Sequence, residues 1–285
     1  MIRRFDFAPV ALAAFVLLAI VFVTVASSPL DSAELLAIGE PSATLSPLSS
    51  HRALYRMVLA RSQPSSGIVG ADGAMFVHFE EACDGWKSEI STRTLLNYGE
   101  EGEVLTEWEF SSWEARDGQR FLFRSVEREG PDDVSEIEGS ATLGLGGRAE
   151  FFKPVQTAIA LPPGTRFPTR HLIDLIEAAR HGLTLYSGTL FDASPDSPYF
   201  VSSVIAKLRP AELAAMGRAL GGPDGMAWQM HMAFYPIDSV EQLPSFRITM
   251  RYREDGVADR MVQDYGDFTV DVELESLDFL PAPSC

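Results

Sequence analysis

One stretch restricts the fold more than any other. Residues 167–182, FPTRHLIDLIEAARHG, carry the one long periodic helix signal in a chain otherwise patterned as strands and turns. Leu172, Ile173, Leu175, Ile176 and Ala179 recur at helical spacing and form a single apolar stripe. Pro168 supplies a start and Gly182 a stop; Arg180 and His181 lie in the last turn, where cations suit the helix dipole. A helix with one apolar stripe among strands needs a sheet to bury it. The expected fold is therefore mainly β: a long antiparallel sheet coiled into a spiral or barrel-like form around one amphipathic helix.

The strand signals lie on both sides of that helix. Before it, 51–60, 74–79, 86–95, 104–113, 119–127, 134–143 and 148–153 are rich in alternating β-formers. After it come 183–191, 199–208, 226–235, 246–253, 257–263 and 268–274, with a second, shorter helix at 210–220. In the last strand Phe268, Val270, Val272 and Leu274 face one way, while Thr269, Asp271 and Glu273 face the other. Asp-Gly pairs at 72–73, 84–85, 117–118, 224–225 and 255–256 read as hairpin turns, which implies an antiparallel meander. So many strands must close, coil or stack to manage their edges.

The N-terminus gives the compartment. MIRRF is followed by an apolar run over 8–26, a charged start and a hydrophobic core as in a secretory signal. Thr24 and Ala26 suit cleavage after Ala26, and the run is also just long enough for an uncleaved anchor. Both readings place the rest outside the cytoplasm, with membrane contact through 8–26 alone if the segment stays. The organisation expected is 1–28 signal peptide, 29–50 flexible leader rich in Pro, Ser and Ala, and 51–285 one β domain. The formal charge is −17; removing 1–28 takes away Arg3, Arg4 and Asp6 and leaves −18. An acidic exterior argues against nucleic acid as a partner.

Cys83 and Cys285 are the two cysteines, both in the exported part. An oxidising compartment favours pairing them, tying the chain end to an early hairpin. A redox role lacks C-x-x-C spacing.

Chemical motifs are sparse. The histidines His51, His78, His171, His181 and His231 stand singly. His78 reads as half of a cross-strand polar pair, and His171 as a group bonding backbone near the helix start. No G-x-S-x-G, S-x-x-K or H-E-x-x-H occurs, and 144–147 (GLGG) lacks the setting of a phosphate loop. Met230 and Met232 share a strand face opposite His231 and read as core. Asp264-Tyr265-Gly266-Asp267 reads as a tight turn, with Gly266 at positive φ and Asp267 bonding backbone. No catalytic, cofactor-binding or metal residue is assigned.

Six segments in order resemble one family: HRALY at 51–55, Cys83-Asp84-Gly85, RFPTRH at 166–171, LPSFRI at 243–248, Asp255-Gly256-Val257, and Asp264-Tyr265-Gly266-Asp267-Phe268. Together they are similar to the EipB family of periplasmic cell-envelope integrity proteins, from about residue 51 to the C-terminus. The resemblance implies a secreted β-spiral around a helix and a Cys83–Cys285 disulfide. It also implies a role in envelope integrity under stress, with Phe167, Pro168, Thr169, His171, Tyr265, Gly266, Asp267 and Phe268 as structural motif residues. It brings no enzymatic activity or cofactor. The sequence departs at Ala193, where a glycine is expected after Phe191-Asp192, at Phe246 in place of tyrosine, and in a longer 209–225 segment.

The function expected is a non-enzymatic periplasmic protein that binds a lipid or amphiphilic ligand, or a periplasmic protein partner. A curved sheet lined by Phe, Met, Leu and Trp motivates the ligand; the helix filling the hollow is the alternative. Two rival readings are a hydrolase of an envelope polymer, which needs paired carboxylates at a cleft, and a module that binds by edge-strand addition.

Overall fold

Burial alternates clearly along 51–57, 120–124 and 199–205, where the strand has one wet and one dry side. The computed structural model describes residues 48–130, 133–194, 197–221 and 225–285. The expected signal peptide 1–28 and leader residues 29–47 lie outside the described residues. In chain order the strands are β1 (His51–Ser62), β2 (Gly70–Glu81), β3 (Gly85–Asn97), β4 (Glu103–Ala115), β5 (Arg120–Glu129), β6 (Asp133–Thr142), β7 (Arg148–Lys153) and β8 (Thr157–Ala160). Helix α1 (Pro168–Arg180) precedes β9 (Leu185–Leu190) and β10 (Tyr199–Lys207); α2 (Pro210–Leu220) precedes β11 (Ala227–Pro236), β12 (Phe246–Arg253), β13 (Ala258–Asp264) and β14 (Phe268–Phe279).

Among the described residues, these fourteen strands make one antiparallel sheet, in the order β8-β7-β6-β5-β4-β3-β2-β1-β14-β13-β12-β11-β10-β9. Two meanders, β1–β8 and β9–β14, are joined where the first strand pairs with the last. That pairing makes β8 and β9 the two outer edges, so the segment carrying α1 links one edge to the other. The edges do not pair as a closed barrel. Instead Arg166 forms a parallel bridge with Leu190, its amide donating to Thr189 O while the Phe191 amide donates to Arg166 O. Phe167, the next residue, enters a cluster with Phe121, Phe123 and Phe191; it stacks on Phe121 at 5.0 Å between centroids. Aromatic packing thus seals a seam that backbone pairing leaves open.

Helix α1 lays Ile173, Leu175, Ile176 and Ala179 against Val201, Ile205, Trp228, Met230, Met232 and Phe234. Ile173, Leu175 and Ile176 are fully buried, each contributing roughly 2 kcal/mol of hydrophobic stabilisation. Inside the sheet one row of side chains crosses nine strands: Ile205, Met230, Met250, Met261, Val272, Met57, Gly73, Thr94 and Thr106, each paired with the next.

Cys83 and Cys285 are joined by a disulfide, with Cα atoms 5.7 Å apart and 202 positions between them in sequence. Arg116 holds the turn beneath Cys83: its Nη2 donates to Ala82 O at 2.7 Å, its Nη1 pairs with Glu81, and its guanidinium lies over Trp86.

Several sequence expectations shift. Residues 48–50 belong to the folded part and not to the leader: Leu48 is buried against α1, and Ser50 bonds both Glu81 and Leu280. Asp72-Gly73 is not a turn but the interior of β2, where a Cβ on Gly73 would meet Arg93 O at 2.6 Å. This glycine serves close strand approach. β8 has four residues, too few to show a period. In the β13–β14 turn Gly266 has φ +87°, and Asp264 supplies the side-chain oxygen that accepts its amide; Asp267 contributes its backbone carbonyl, to Gln63 N. Ala193, where the resemblance leads to the expectation of a glycine, adopts φ 69°.

Candidate functional site

The sheet's inner face is defined by α1, and its two halves differ. Towards β10–β12 the helix covers it. Towards β3–β6 the same face carries Ile90, Thr92, Trp108, Phe110, Ser125 and Ile137, all half-buried. These side chains share one face because they are direct cross-strand partners: Trp108 faces Thr92, and Phe110 faces Ile90 and Ser125, which in turn faces Ile137. Trp108 stacks on Phe110 with centroids 5.7 Å apart and planes at 10°, and its Nε1–H donates to Ser125 Oγ at 2.8 Å. The result is a half-buried apolar row with hydroxyls set into it. Such a surface suits an apolar or amphiphilic molecule.

Glu114 lies further along the same face of β4, between Trp86 and Phe121. It is 1% exposed. Its two carboxyl oxygens accept the backbone N–H groups of Thr169 at 2.7 Å and Arg170 at 2.9 Å. Helix α1 has no cap from its own N-cap residue, Phe167, so an acid from a distant strand fills that role. Burial pushes the Glu114 carboxyl up to about 7, against the pull of the two helix amides and of Arg170.

His171 does not bond backbone at the helix start. It sits past the orphan amides, which Glu114 satisfies, and its ring meets Tyr186 edge-on at 5.5 Å. Its Nε2 is buried with no hydrogen-bond partner among the described residues, and burial pushes the ring down to about 4 while Asp174 pulls the other way. Asp174 is gripped by Nε of Arg166 and Nε of Arg170, each at 2.8 Å. His78 pairs across the strands with Glu89 at 3.3 Å.

The motif residues fall in two separate places. Phe167, Pro168, Thr169 and His171 build the start of α1. Tyr265 and Phe268 stack at 4.9 Å across the β13–β14 turn, and Gly266 O accepts Gln63 Nε2 at 3.0 Å, tying that turn to the end of β1. Glu114 and Trp108 were not singled out from sequence. The signal was there: in Trp108, Phe110, Ser112, Glu114 the period of two puts a carboxyl on the core side of a strand. Among the described residues no three His, Cys, Asp or Glu side chains are grouped to hold a metal ion.

Fold and site together define an open-sheet β protein, tied by a disulfide and by aromatic packing, with a half-buried apolar row on the inner face of β3–β6. By its match to the EipB-like family model over residues 42–281, the chain belongs to that family. It is 32% identical over 241 residues to the cell envelope integrity protein EipB of Brucella abortus (strain 2308), covering 81% of this chain and 84% of the relative. It is also similar to the crystal structure of a beta-barrel-like protein of domain of unknown function DUF1849 from Brucella abortus. There the TM-score is 0.76 and the identity 28%, over 82% of this chain and 99% of that one.

Proposed function

We propose that this protein supports cell-envelope integrity from the periplasm, without turnover, by holding an apolar or amphiphilic envelope component against the inner face of β3–β6. The observation that carries the reading is the stacked, half-buried Trp108–Phe110 pair on the same face as α1. The name of the Brucella relative supports the envelope role, and the Cys83–Cys285 bond fits an oxidising compartment. The test is to express the chain with its own N-terminus, purify it from a periplasmic fraction and analyse an organic extract by mass spectrometry. A defined amphiphile is expected, and it should be lost in the double variant Trp108→Arg, Ile137→Glu. An empty extract, together with no saturable tryptophan fluorescence change on titration with dodecyl maltoside, would overturn the reading.

A second reading has its own observation. Among the described residues β9 pairs on one side with β10 and is bridged by Arg166 at Leu190, and its outer face shows exposed Leu185 opposite exposed Val204. An apolar edge of this kind can accept a strand from a protein partner. Periplasmic crosslinking through a photoreactive residue at Ser187 would capture such a partner; its absence in stressed and unstressed cells removes this reading.

A further inference from the structure

Among the described residues, two buried side-chain polar atoms have no hydrogen-bond partner: His171 Nε2 and Ser203 Oγ. They come from different elements, α1 and β10, yet both residues adjoin one side chain. The His171 ring meets the Tyr186 ring edge-on at 5.5 Å. Ser203 is the direct cross-strand partner of Tyr186, on the inner face between buried Val201 and Ile205. Partners of this kind hold their Cβ atoms about 5 Å apart. The phenol itself does not serve Ser203. Its ring leans along β9 over Gly188, where a Cβ would lie 3.4 Å from the phenol oxygen. Ser203 is 0% exposed and His171 5%, so bulk solvent does not satisfy them. Unpaired buried polar atoms are costly, and two beside one ring point to one shared partner.

The chemistry of that partner is narrow. It is neutral, because Asp174, one turn along α1, is already gripped by Arg166 and Arg170, and a buried ion would find no charge to balance it. It both gives and takes a proton, because Nε2 accepts or donates according to tautomer and a serine hydroxyl does either. We propose that one hydroxyl group, bound between α1, β9 and β10, bridges His171 Nε2 and Ser203 Oγ; an internal water molecule or a small alcohol supplies it. The site is separate from the apolar row of β3–β6 and does not rest on the functional reading above. It gives α1 a polar tie to β10 beside its apolar stripe, close after the Arg166–Leu190 bridge.

Oxygen-17 relaxation dispersion counts long-lived internal waters, and circular dichroism confirms that each variant keeps its fold. The native protein should hold one more such water than Ser203→Ala, and one more than His171→Phe, which keeps a ring against Tyr186. If an alcohol supplies the hydroxyl, the three counts agree, and an organic extract of the native protein yields that alcohol in equimolar amount while the Ser203→Ala extract does not. A double-mutant cycle in urea reads the sharing: once one partner is removed, the second substitution should change the unfolding constant by less than about threefold. Equal water counts with no alcohol in the extract overturn the proposal, as do two substitutions whose effects simply multiply. Should either variant fail to fold, a crystal structure of the native protein decides. Density bridging the two atoms supports the site, and direct protein partners for both overturn it.

Discussion

Glu114 and Thr169 stand 55 positions apart in the chain, and a carboxyl oxygen of one accepts the backbone N–H of the other at 2.7 Å. The bond ties the inner face of β4 to the first turn of α1, the helix that the sheet encloses. A charge-compensating cap at a helix N-terminus is ordinarily local; here it is long-range and buried.

That arrangement makes stability depend on pH. The folded carboxyl titrates at about 7, above its ordinary value of 4.5, so the folded state binds the extra proton between those limits. Stability from Glu114 is therefore full below pH 4.5 and is lost as pH rises towards 7, by on the order of 3 kcal/mol at most. His171 acts in the opposite sense: lowered from 6.5 to about 4, it favours the fold as pH rises through that window. The two offset each other in the native protein. Glu114→Gln should thus gain ground on the native protein as pH rises from 5 to 8, read from paired melting curves; a difference independent of pH contradicts the assignment.

The tail disulfide closes a loop spanning 202 positions. The chain-entropy treatment gives an upper limit of about 5 kcal/mol for such a closure. Reduction, or Cys285→Ser, should lower the melting temperature, and the untreated protein should show no free thiol. Two titratable thiols with unchanged melting would refute the bond.

Phe121 touches Phe123, Phe167 and Phe191, where the sheet edges approach without pairing. Phe121→Ala should cost about 3–5 kcal/mol, the range for emptying a buried aromatic site. Denaturant unfolding measures it; a loss below 1 kcal/mol would mean that the seam is held elsewhere.

Gly73 predicts against general propensity. Replacing a strand glycine with alanine ordinarily helps, but here the new Cβ would lie 2.6 Å from Arg93 O and 2.9 Å from Thr94 Cα. Gly73→Ala should destabilise by about 1–3 kcal/mol, as overpacking does. A rise in melting temperature would show that β3 can move aside.

Much of this architecture was legible in local pattern. Alternation at Phe268, Val270 and Val272 identifies a strand with one dry side, and in the structure Val270 and Val272 are buried. The stripe on α1 is visible as a period: Ile173, Leu175, Ile176 and Ala179 are buried, and Leu172 is half-buried. The candidate row was legible in part, since the phase of β4 already groups Trp108, Phe110 and Glu114. The cap was not, because Glu114 meets Thr169 only once the sheet encloses the helix. Asp72-Gly73 misled because the same dipeptide serves a turn or a close approach, and only the neighbouring strand distinguishes them.

By itself, then, the sequence determined the element types, the face each side chain takes and the family, all of which are written in spacing along the chain. The tertiary structure decided that β1 pairs with β14, which makes β8 and β9 the edges and puts α1 between them. It also decided that Glu114 caps a helix. The physical reason is range: a period is set by neighbouring dihedral angles, whereas pairing and charge balance depend on residues that only folding brings together.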